Sequence, residues 1–138
     1  MDPINSSRSA NDQKEYRLMT LPSGLEVLLV STTKLVQSKG QPLKDAKAAA
    51  AMCVQVGSFA DPAEAEGLAH FLEHMVFMGS AKYPSENQYD QYINSHSGEC
   101  NAFTEGEYTV YQFDIASEFL HRALDMFANC FISPLFKK

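Results

Sequence analysis

The sequence has no tryptophan, only three cysteines, and no apolar run approaching the roughly 20 residues that a membrane span requires. Cys53, Cys100 and Cys130 are odd in number, far apart and form no Cys-x-x-Cys pair, which argues against a disulfide framework. No signal-peptide pattern opens the chain. The thiols therefore fit a reducing interior, the cytoplasm or an organelle such as the mitochondrion. Basic residues are scarce too. Eleven Lys and Arg stand against 17 Asp and Glu, for a net charge of −6. The clustered cations that bind phosphates are missing, so a nucleic-acid surface is not expected. Basic or neutral peptides suit such a surface better than acidic ones.

What remains is enough for a core. In 138 residues, 45% are hydrophobic, with nine Phe and six Tyr, which fits one compact domain. Residues 1–15 are polar and aperiodic and read as a lead-in, leaving 16–138 to fold. Strands are expected near 16–21 and 25–31, around the turn residues Pro22, Ser23 and Gly24. Residues 32–47 carry Gly40, Pro42 and several lysines with no apolar period, the pattern of an exposed connection. The alanine-rich run 48–56 could be a helix by propensity, but its Cys-Val-Gln-Val end before Gly57 suits a buried strand.

Helices are expected near 66–78, 85–96 and 116–131, with strands near 100–104 and 107–115. Asp61, followed by Pro62 and Glu64, has the spacing of a helix cap, and Ser85 is the expected cap of the second helix. Phe119, Leu120, Ala123, Leu124, Phe127 and Phe131 give the third helix its apolar stripe. The class is α+β: one mixed or antiparallel sheet of these five strands, with the helices packed on one face.

Chemistry concentrates at His70-Phe71-Leu72-Glu73-His74. Helical residues turn by about 100° each, which puts Glu73 about 60° to one side of His70 and His74 about 40° to the other. Two imidazoles at i and i+4 can hold one tetrahedral Zn2+, and a carboxylate on the same arc can reach a water on that ion and act as its base. Leu68, Leu72, Met75 and Val76 occupy the other arc and are expected to pin the helix to the core. His96 and His121 have no such company and read as surface or helix-end residues.

The run from Gly67 to Gly79, then Tyr83-Pro84, Glu86-Asn87, Asn101-Ala102-Phe103-Thr104 and Glu107 to Tyr111, resembles the amino-terminal domain of the insulinase/pitrilysin family of inverted-motif zinc metallopeptidases. The resemblance implies that 16–138 is an incomplete amino-terminal part of such a peptidase domain. It makes His70 and His74 zinc ligands and Glu73 the general base of a metalloendopeptidase acting on peptides or small proteins. It also implies that Phe77 and Phe103 line the substrate pocket, and that Asn101, Ala102, Phe103 and Thr104 form the edge strand on which a peptide is laid. The family's third ligand, a Glu, falls beyond Lys138, so the isolated chain is expected to hold zinc loosely and to have little or no activity. A second reading is a non-catalytic module that uses the same edge to hold extended peptides or to pair with a full-length relative.

Overall fold

The computed structural model describes residues 8–32 and 46–136. Residues 1–7 of the lead-in and 33–45 of the connection lie outside the described residues. The chain divides into two compact units, Met1–Ala46 and Lys47–Lys138.

In the first unit, β1 (Glu15–Thr20) and β2 (Glu26–Ser31) pair antiparallel, Leu18 opposite Leu28 and Tyr16 opposite Val30. Gly24 closes the turn at φ +89°, a conformation that an L side chain rarely takes, and its N–H donates to the Leu21 carbonyl at 2.9 Å. The described part of the lead-in is not featureless. Asp12 accepts from the Lys14 N–H at 2.9 Å and from the Tyr16 hydroxyl at 2.8 Å, and these two bonds hold its carboxyl below the usual range.

The second unit is built on a three-stranded antiparallel sheet in the order β3 (Lys47–Val54), β5 (Thr109–Ala116), β4 (Glu99–Thr104). The five strands thus form two sheets, β1–β2 and β3–β5–β4, instead of the single one expected. The alanine-rich segment is a strand. Ala48 pairs with Ile115 and Ala50 with Phe113, so small residues in β3 leave room for the large side chains beside them.

One face of this sheet is covered by α1 (Leu68–Val76), α2 (Gln88–Ser95) and α3 (Leu120–Ile132). The core joins Tyr111, Phe113 and Ile115 of β5 to Val76, Tyr89, Ile93, Ala123, Met126, Phe127 and Cys130 of the helices. Alternation puts Gln112 and Asp114 on the opposite, more open face. All three cysteines are free, and burial pushes the Cys100 thiol up to about 12 and the Cys130 thiol up to about 11.

The helix ends depart from the expected pattern in instructive ways. Helix α1 begins at Leu68, after Gly67 at φ +88°. Asp61 does serve it, but from a distance: its carboxylate accepts the N–H of Gly67 at 2.7 Å and of Ala69 at 2.8 Å across the intervening loop. Ser85 is not the side-chain cap of α2. It offers its carbonyl to the Gln88 N–H at 3.1 Å, and the helix starts two residues later than a Ser85 cap requires. A 3-10 turn, Ser117–Phe119, precedes α3, whose buried stripe includes Met126 and Cys130 while Leu124 stays 46% exposed. Ala123 and Phe127 stay buried as expected, and the stripe shifts toward Met126 and Cys130 because the helix packs on α2, β3 and β5 together.

The larger correction concerns α1. Leu68 and Leu72 are 48% and 45% exposed, and the residue driven inward is Glu73, 7% exposed, beside Val76 at 6%. The helix packs inward with its Glu73/Val76 side, so Leu68 and Leu72, and the two histidines, turn outward.

Candidate metal centre and peptide cleft

Helix α1 delivers the three motif side chains to one place. The Nε2 atoms of His70 and His74 are 3.1 Å apart, and their ring centroids 4.8 Å. One donor atom from each of His70, Glu73 and His74 falls within 4.8 Å of the others. Zinc–nitrogen bonds of about 2.0–2.1 Å in a tetrahedron separate two donor nitrogens by about 3.3 Å, so the imidazole pair fits that ion with little adjustment. Both histidines are exposed while Glu73 is buried.

A buried carboxylate needs a donor. Thr104, on β4, donates its hydroxyl to Glu73 Oε2 at 2.5 Å. Behind it, the Thr109 hydroxyl donates to the Val56 carbonyl at 2.9 Å and lies 3.4 Å from Thr104 Oγ1. Tyr111 of β5 is buried close enough to feel this carboxylate. Burial first, and the negative charge of Glu73 second, hold its phenol above the ordinary range. None of these supporting roles is legible in the motif; the only hint is that Thr104 and Thr109 fall on the same sheet face as Tyr111.

An open cleft of about 880 Å³ runs past His70 and Glu73, bordered by Ser58, Asp61 and the β4 residues Ala102, Phe103 and Thr104. Its far wall is the 3-10 turn Ser58–Ala60, docked by the N–H groups of Ser58 and Phe59 on the carbonyls of Glu105 and Gly106 at 2.9 and 2.8 Å. Gly57 permits that approach: a Cβ there would lie 2.2 Å from the Glu105 oxygen. Gly57→Ala is expected to destabilise the second unit by about 1–3 kcal/mol, the usual cost of forcing extra volume into a packed contact. Urea unfolding of the two chains measures it, and equal midpoints would show that the turn does not need this approach.

The expected substrate residues divide. β4 is an edge of its sheet. Ala102 and Thr104 sit on the helix-facing side, while Asn101 and Phe103 project to the other side, as strand alternation requires. Phe103 still reaches the cleft, with Tyr108 edge-on at 6.4 Å. Asn101 borders a separate concavity beside Ala49, Ala51 and Gln112. Phe77 is not among the cleft-lining residues. Its ring is 5.2 Å from Tyr89 and 5.6 Å from Tyr111 and belongs to the aromatic core. His96 is structural, its Nδ1 2.7 Å from the Tyr92 carbonyl and its ring 3.9 Å from Phe119.

A helix bearing this motif against the edge of an antiparallel sheet is the arrangement of a peptidase family, and comparison with known proteins identifies which. The chain belongs to the insulinase family, peptidase family M16, whose model matches residues 36–138. It is 46% identical over 130 residues to insulin-degrading enzyme of Homo sapiens, a match covering 94% of this chain and 12% of that protein. A nardilysin-like protein of Arabidopsis thaliana is 59% identical over 91 residues, covering 66% of this chain and 9% of the relative. Among solved structures, pitrilysin superposes with a TM-score of 0.83 at 35% identity, over 95% of this chain and 13% of that one. The chain therefore spans about an eighth of the length of these relatives or less. Among the described residues, no helix is long and apolar enough to cross a membrane.

Proposed function

We propose that this chain provides the metal-binding and general-base part of a zinc metalloendopeptidase, within residues 16–138, and that its substrates are peptides or small proteins. The observation that carries the reading is the imidazole pair at 3.1 Å with a buried carboxylate beside it, under an exposed strand edge. His70 and His74 would hold zinc, and among the described residues no metal-binding side chain other than Glu73 joins them. Bound zinc would lower the pKa of water to about 7 and polarise the scissile carbonyl.

Glu73 then takes a proton during attack and returns it to the leaving amine; its fixed place on α1 spares the cost of orienting it at each turnover. The outer edge of β4 holds the substrate through main-chain hydrogen bonds, which recognise an extended peptide whatever its side chains. A protein of this kind fits the cytoplasm or an organelle interior.

The test has two arms. Calorimetric titration should show the isolated chain binding zinc weakly, at about one ion per chain, with little or no peptide hydrolysis. In the second arm, this chain replaces the matching segment of human insulin-degrading enzyme, and the exchanged enzyme should cleave a quenched fluorescent peptide. No zinc uptake by the isolated chain, or a folded and zinc-loaded exchange that cleaves nothing, would sink the reading.

A further inference from the structure

Resting on that reading of Glu73 as the base, we propose that Thr104 is its positioning residue, tying the carboxylate to the strand that carries the substrate edge. The terminal torsion of a Glu side chain is broad and soft, so a base held only by its helix would sample many orientations. Here one oxygen is fixed. Thr104 donates to Oε2 at 2.5 Å. Among the described residues no protein donor engages Oε1, which leaves that oxygen for the proton it must take.

The Thr104 hydroxyl is itself restrained. Its Cα is paired with that of Thr109, whose own hydroxyl lies 3.4 Å away and is anchored on the Val56 carbonyl. The side chains of Thr104 and Ala102 face the helices while the backbone of β4 forms the open edge. A peptide added to that edge and the base beneath it are thus held by the same strand. Thr104 acts through Glu73, and among the described residues its hydroxyl makes no hydrogen bond to His70 or His74.

The experiment uses the full chain with ¹³C-labelled glutamate carboxyls, the Glu73 resonance being the one lost in Glu73→Gln. Thr104→Val, equal in shape and without the hydroxyl, should shift that resonance, and Thr104→Ser should restore it. Zinc affinity should change less than tenfold in both. A folded Thr104→Val chain with the Glu73 resonance unmoved overturns the proposal, as does a serine variant that fails to restore it. A zinc affinity lowered by the about 10–100-fold typical of losing a ligand's partner, with the resonance unmoved, also overturns it and makes Thr104 a support for the histidines. Should Thr104→Val not fold, Thr104→Cys gives the reading, because its weaker S–H donor should move the resonance part of the way. Failure of the unmutated chain to take up zinc is a separate result, and it removes the metallopeptidase reading while the Glu73 spectrum still reports on the contact.

Discussion

His74→Ala is expected to cost the chain its zinc while leaving its fold intact. His74 is exposed, and its ring nitrogen meets that of His70, so little packing is lost with the ring. Alanine is the best helix former, which offsets part of what remains. The metal loses one of the two imidazoles that this chain offers. Its affinity should fall by more than the about 10–100-fold associated with removing a ligand's hydrogen-bond partner alone. A ligand that binds only the folded chain also raises its stability, by about 2.7 kcal/mol at a hundred times its Kd. Added zinc should therefore raise the melting temperature of the original chain and not that of His74→Ala. Calorimetric titration with parallel melting curves measures both. An unchanged affinity would mean that the metal, if bound, sits elsewhere.

The second large effect is on turnover. In the exchanged enzyme, Glu73→Gln should keep zinc and lose about 10²–10⁴-fold in kcat, the usual contribution of a positioned general base. The substitution is nearly isosteric, and the glutamine oxygen can still accept the Thr104 hydroxyl, so geometry is retained and basicity is not. Its effect on stability should run the opposite way. Glu73 is 7% exposed and forms no ion pair among the described residues. Burying that charge with a single side-chain donor opposes folding. Glu73→Gln should leave the melting temperature of the isolated chain unchanged or raise it, as expected where a fold keeps a costly group for its chemistry. A clear fall in melting temperature, or full turnover in the glutamine enzyme, would show the carboxylate to be a structural group.

Much of this was legible in the residues themselves. The hairpin follows from alternation around Pro22 and Gly24, and the spacing of His70, Glu73 and His74 places three ligating groups on one helical arc whatever the helix packs against. The strand character of 48–54 was legible through its neighbours more than its alanines, whose propensity points to a helix.

Local periodicity says which side chains share a face but not which face a partner will cover. Leu68, Leu72 and Glu73 show the consequence: the two leucines are open and the carboxylate buried, because the sheet lies under the Glu73/Val76 side of α1. The same limit hid the shift of the α3 stripe, set by packing against strands distant in the chain. It also hid the partner of the base. Thr104 meets Glu73 across 31 residues of sequence, a contact that exists only once helix and strand have docked. The sequence by itself determined which groups are available for the chemistry, since their spacing along one helix suffices. Only the tertiary structure decided which of them is buried, what holds it and which strand edge lies open beside it, since non-local packing chooses among faces that local periodicity leaves equivalent.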